Sequence, residues 1–171
     1  MTQVLMVIAP DKFRDEEYSR PKSVLEERGA RVVTASVQAG ECRGRFGLTA
    51  TAEIALADAD PDDYDAVVFV GGGGADVFFD DPTAHEIARV AYESGKIVAA
   101  ICIAPSTLAH AGLLSGRKVT AFASQQEDLV LHGATFTGAP LEIDGSIITA
   151  NGPEAAYAFG EALAEALHLP E

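Results

Sequence analysis

Three uninterrupted apolar runs constrain what this chain can fold into. They are Val4-Leu5-Met6-Val7-Ile8-Ala9, Ala66-Val67-Val68-Phe69-Val70 and Ile97-Val98-Ala99-Ala100-Ile101. Each is too short to cross a membrane and lacks the polar alternation of a half-exposed strand, as expected of parallel strands covered on both faces. Arg31–Ser36 reads as another strand. Between these runs the spacing predicts helices over Pro21–Arg28, His85–Tyr92, Thr107–Ala111 and Glu154–Leu167, three of them followed closely by a stop glycine (Gly29, Gly95 and Gly112). Gly40–Gly47 reads as a loop, Leu48–Ile54 alternates loosely, and residues 59–63 form an acidic turn. Asp144-Gly145 between two β-rich segments is a hairpin signal. Strands alternating with helices predict an α/β sandwich around a mainly parallel central sheet. With no repeat or linker, one domain over residues 1–171 is expected.

The charge balance narrows the partners. Twelve Lys+Arg against 26 Asp+Glu gives a net charge of −14, which repels phosphate backbones and anionic lipid surfaces. Neither nucleic acid nor membrane is expected as a partner. The N-terminus has no basic segment ahead of its apolar run, so a cytoplasmic location is expected. Only four of the 12 basic residues are lysines, which together with the acidity suggests a protein adapted to high salt.

In open α/β sheets, ligands bind beyond the carboxyl ends of the strands. Here those ends lead to Asp11–Glu17, to Gly71-Gly72-Gly73-Gly74 and to Cys102. A cysteine between a buried strand and a helix can be a nucleophile on a sharp turn, its pKa lowered below ~8.5 by the helix, or simply a small core residue. The glycine run lacks the Lys-Ser/Thr of a phosphate loop and fits either an oxyanion site or a plain turn. Cys42 lies in the expected loop. His85, His110, His132 and His168 are far apart and show no metal-binding spacing, so each reads as a surface or helix-end residue, with no metal and no cofactor expected.

Ala99-Ala100-Ile101-Cys102-Ile103-Ala104-Pro105, Leu108–Thr120 with its Ala111-Gly112-Leu113-Leu114-Ser115-Gly116-Arg117, Ala35-Ser36 with Gly40, Gly44 and Gly47, and Asn151-Gly152-Pro153 resemble the ThiJ/PfpI (DJ-1-like) superfamily, closer to its PfpI branch. The resemblance implies a flavodoxin-like three-layer sandwich related to class I glutamine amidotransferases, assembled as a homodimer or higher homo-oligomer. It implies Cys102 as the reactive cysteine. Glu17, four residues before Pro21, would be the protonated carboxyl beside it, with Glu16 in reserve. The backbone N–H groups of Gly72 and Ile103 would be the oxyanion donors.

One position departs from the pattern. PfpI-type members carry a histidine directly after the cysteine, where this chain has Ile103; Phe122 makes the pocket more apolar still. Without an imidazole, proton delivery to an amine leaving group is unprovided for, which counts against peptide hydrolysis. The expected activity is therefore cysteine-dependent chemistry on a small reactive carbonyl, of glyoxalase-III or deglycase type. The alternatives are a stress sensor or chaperone working through Cys102 oxidation, and a peptidase or amidohydrolase. The charge also yields an expected outcome. Salt shortens the Debye length from about 10 Å at 0.1 M to about 3 Å at 1 M. The melting temperature should climb well beyond the first few hundred millimolar KCl, and a flat curve there would remove the high-salt reading.

Overall fold

The computed structural model describes all 171 residues. In chain order its elements are β1 (Gln3–Val7), β2 (Asp11–Phe13), α1 (Asp15–Glu27), β3 (Arg31–Ser36), β4 (Gly40–Gly44), β5 (Thr49–Ala52), β6 (Ile54–Ala55) and β7 (Ala66–Phe69). They continue with α2 (Pro82–Glu93), β8 (Ile97–Ile101), α3 (Pro105–His110), β9 (Lys118–Val119), α4 (Gln126–Leu131), β10 (Thr135–Phe136), β11 (Leu141–Asp144), β12 (Ile147–Ala150) and α5 (Ala156–Ala166). Seven strands form one sheet in the order β11-β12-β8-β7-β1-β3-β6, parallel throughout except for the β11–β12 hairpin.

The apolar runs are explained by which face each side chain serves. Val4, Met6 and Ile8 pack on one side of the sheet with Phe159 and Leu163 of α5 and with Val24 and Leu25 of α1. Leu5 and Val7 pack on the other with Ile87 and Ala88 of α2, Leu108 of α3 and Leu129 of α4. Successive strand residues point to opposite faces, and helices cover both, so these three runs are apolar on both faces. The result is a three-layer sandwich with a mainly parallel central sheet.

The order also fixes where a site can form. From β1 the chain moves outwards through β3 to β6, then returns to pair β7 on the other flank of β1 and continues to β8 and β12. The crevice at the carboxyl ends of β1 and β7 is the switch point at which open α/β sheets hold ligands.

The structure corrects three local expectations. The first helix starts at Asp15 rather than Pro21, so Pro21 lies inside α1 and Glu17 is helical. An internal proline costs about 3 kcal/mol of helix propensity. Tertiary packing overrides that cost: α1 presses against α5, and a Cβ added at Gly160 would lie only 2.9 Å from Pro21 Cα. The expected Gly40–Gly47 loop contains β4, which pairs with β5 and β2 in a separate three-stranded sheet. Cys42 is therefore a buried strand residue, 2% exposed, and not a loop thiol. Finally, α3 begins at Pro105, two residues before the expected Thr107, and is six residues long.

Candidate active site

Cys102 follows β8 with φ of 65°, a left-handed conformation that non-glycine residues rarely adopt. The strain is held by the sheet on one side and the following chain on the other. Its N–H donates to Ala150 O at 2.9 Å, and its own carbonyl accepts from Phe122 N–H at 2.8 Å. A strand-to-helix turn pinned in this way projects the side chain out of the sheet edge, as a nucleophile elbow does. Cys102 is half-buried, whereas Cys42 is buried.

The acid arrives from α1. Its first turn carries three consecutive acids with three different partners. Asp15 accepts from the N–H groups of Phe46 and Leu48 at 3.1 and 2.9 Å, which ties α1 to the β4–β5 connection. Glu16 pairs with Arg14 Nε at 2.9 Å on the outer side. Glu17 turns inward and is fully buried. Of the two adjacent glutamates, Glu17 is thus the one placed at the thiol. Neither of its oxygens has a fully formed hydrogen bond; the Cys102 side chain and the Gly71 N–H face them. A buried carboxyl left with so few partners is costly and calls for a functional explanation.

The glycine run explains how these groups come together. A Cβ at Gly71 would collide with the Glu17 carboxyl and would sit 2.5 Å from Cys102 Cβ and 2.7 Å from Ile101 O. Gly72 has φ of 103°, and a Cβ there would lie 2.6 Å from Lys12 O and Phe13 C. The Gly71 carbonyl accepts from Arg14 N–H at 2.9 Å, stitching the end of β7 to the start of α1. The run is therefore a close-approach device, and its glycines let the acid, the strand end and the thiol share one small volume. The same approach aims the Gly72 and Ile103 N–H groups at the Cys102 sulfur.

Electrostatics follow from burial. Glu17 is raised from 4.5 to about 7, chiefly by desolvation, against the lowering pull of the Cys102 hydrogen bond, Arg14 and the Gly71 N–H. Cys102 is pushed up from 9.0 to about 12, by burial first and then by the Glu17 charge, against the Gly72 and Ile103 N–H groups. Burial and the neighbouring carboxyl thus oppose the lowering expected from the helix, which is short and starts three residues later. Two groups that cannot both ionise near neutrality share one proton, so at pH 7 to 9 the pair is a monoanion. Charge on sulfur is favoured by the Gly72 and Ile103 donors, and charge on the carboxyl by Gly71.

A cavity of about 490 Å³ is lined among others by Arg14, Phe122, Phe136, Asn151 and Pro153; neither Cys102 nor Glu17 lines it, and its link to the pair is Phe122, whose N–H bonds the Cys102 carbonyl. Phe122 is thus at the expected pocket wall, although 47% exposed. A second hollow of about 340 Å³ beside the glycines is lined by Lys12, Arg45 and Gly73. This basic rim in a chain of net charge −14 was missed from sequence, because Arg45 reaches it only through the unanticipated β4–β5 hairpin. Another cavity, about 580 Å³ between α1 and that hairpin, is likewise lined by neither Cys102 nor Glu17.

The raised Glu17 value has a consequence for stability. The folded state holds a proton between pH 4.5 and about 7 that the unfolded chain releases. This contribution is full below 4.5 and is lost as pH rises through 7; a shift of this size corresponds to about 3 kcal/mol. Glu17→Gln removes the titration. Its stability relative to wild type should therefore rise across pH 4.5–7 by a few kcal/mol in parallel denaturant melts. A difference that does not change with pH would show that Glu17 is not a strained buried acid.

Comparison with known proteins agrees with this architecture. The chain is 40% identical over 161 residues to an uncharacterized protein of Methanocaldococcus jannaschii, covering 92% of this chain and 78% of that one. It is 33% identical to a deglycase of Thermococcus kodakarensis, covering 91% and 93%. It is also 33% identical to a Bacillus subtilis protein named as a candidate cysteine protease, covering 99% of each. The crystal structure of a ThiJ/PfpI domain protein from Brachyspira murdochii superposes with a TM-score of 0.95 at 29% identity, covering 97% of this chain and 96% of that one. The DJ-1/PfpI family model matches residues 2–166. The chain belongs to the DJ-1/PfpI family.

Proposed function

We propose that the chain is a cysteine-dependent enzyme acting on small reactive carbonyls, such as 2-oxoaldehydes, with Cys102 as nucleophile and Glu17 as its acid/base. The observation that carries this reading is the Cys102–Glu17 pair itself. A carboxyl held near pH 7 by burial can both take and return a proton at working pH, in contact with a sulfur that two N–H groups face.

The chemistry balances with these groups alone. The thiolate adds to the aldehyde carbon, and the proton of the pair passes to the new alkoxide, giving a hemithioacetal. Glu17, now a carboxylate, removes the proton from that carbon, and the electron pair moves on to the neighbouring ketone oxygen to give an enediolate. Glu17 returns the proton to the second carbon, the hydroxyl proton of the first carbon shifts to the neighbouring oxygen, and a thioester of a 2-hydroxy acid results. Water then hydrolyses the thioester, releasing the acid and restoring the thiol–carboxyl pair. Negative charge on oxygen would face the Gly72 and Ile103 N–H groups. No step requires a proton delivered to an amine, which is the step that Ile103 leaves unprovided for. The name of the Thermococcus kodakarensis relative supports carbonyl chemistry, and that of the Bacillus subtilis relative the competing hydrolysis.

Paired assays separate the two. Wild type should convert methylglyoxal to lactate and leave fluorogenic peptides intact. Cys102→Ser should abolish turnover, and Glu17→Gln should lower it by about 10²–10⁴-fold, the usual worth of acid–base assistance. Ile103→His should add some amide or ester hydrolysis and change carbonyl turnover less. Peptide cleavage by wild type that is lost in Cys102→Ser, or methylglyoxal turnover that survives it, would overturn the reading.

A further inference from the structure

We propose that His110, Asp128 and His132 form a binding site for one divalent first-row transition-metal ion, separate from the Cys102 pocket. In sequence the three residues carry no metal-binding spacing, because the ligands come from two helix ends. Asp128 and His132 lie one turn apart at the end of α4, on one face. His110 ends α3, which packs against α4. One ligating atom from each lies within 4.8 Å of the others.

The geometry suits an ion. His110 Nε2 lies 2.9 and 2.8 Å from the two oxygens of Asp128. Ligands held at bonds of about 2.0–2.1 Å stand about 2.9 Å apart at a right angle and about 3.4 Å apart in a tetrahedron. An ion replacing the proton between His110 and Asp128 would thus need little movement of either. His132 stacks on His110 with ring centroids 4.6 Å apart, and its Nδ1 is 3.5 Å from Asp128 Oδ1. Because a ring nitrogen ligates in the plane of its imidazole, the His132 ring must turn out of its stack on His110 as it closes the gap, a rotation open to a partly exposed side chain.

The surroundings also resemble a built site. His110 Nδ1 is 2.7 Å from Asp80 Oδ1, the carboxylate–imidazole arrangement that orients metal-ligating histidines. His132 Nδ1 also lies 2.8 Å from the Asp128 main-chain oxygen, a hydrogen bond it would exchange for the ion. Two imidazoles and one carboxylate select zinc, cobalt or nickel over magnesium or calcium, and leave a coordination position for water. The ion would tie α4 to α3, the helix that follows the Cys102 turn.

The test uses the full chain carrying Cys102→Ser, so that thiolate ligation is removed, titrated with cobalt(II) and followed by visible absorption. A saturable one-to-one spectrum without a sulfur-to-cobalt band is expected. Asp80→Asn should weaken binding about 10–100-fold, as loss of an orienting partner does, and His132→Gln should weaken it further. Zinc should raise the melting temperature of the Cys102→Ser chain and leave that of the His110→Gln/His132→Gln variant unmoved, with circular dichroism confirming that the variants fold. No saturable absorption up to about 1 mM cobalt, which corresponds to a very weak site, would overturn the proposal. So would a spectrum that survives the double His→Gln change. Because the readouts are metal binding and melting, their failure is distinct from failure of the carbonyl chemistry.

Discussion

The burial of one carboxyl against one thiol is the constraint around which this structure is arranged. Glu17 is fully enclosed and has no complete hydrogen bond, and its displacement to about 7 measures the resulting cost. Such a group persists only where the surrounding packing over-determines it. Here the surroundings are the first turn of α1, clamped by Asp15 to the β4–β5 connection, and the end of β7, bonded through Gly71 to Arg14. The thiol is held no less firmly, in a left-handed turn bonded to β12 on one side and to Phe122 on the other. Stability is spent at this point and recovered in the two apolar layers that sandwich the sheet.

This arrangement makes the glycine run a structural requirement before it is a chemical one. Side chains at Gly71, Gly72 or Gly74 would strike α1, the β2 segment or Cys102, while Gly73 has open space. Close approach of the segments after β1, β7 and β8 is what a switch point provides, and here it brings an acid, two N–H donors and a thiol together. Lys12 and Arg45 line the hollow beside the glycines, and Arg14 lines the neighbouring cavity.

The legible part of the sequence was the part governed by burial. Val4–Ala9, Ala66–Val70 and Ile97–Ile101 announced a doubly covered sheet because each is apolar on both of its faces. The Cys102 turn was legible because the cysteine stands between an apolar strand and a proline-led helix. What could not be read depended on contacts distant in sequence. Pro21 looked like a helix start, and only its packing on Gly160 explains a proline inside α1. Cys42 looked like a loop thiol because its apolar surroundings come from other elements. The His110–Asp128–His132 cluster was hidden because its ligands converge from two helices. The thiol was read from a helix and a protonated acid beside it, and its burial, which pushes the other way, could not be read from the sequence.

The claim that Cys102 and Glu17 share a single proton is open to direct measurement. Infrared difference spectra of wild type against Glu17→Gln report the protonated carboxyl, and ultraviolet absorbance against Cys102→Ser reports the thiolate, across pH 5 to 10. The account predicts that the pair loses one proton near pH 7 and retains the other to the top of the range. Loss of both protons below pH 9, or no loss near 7, would contradict it.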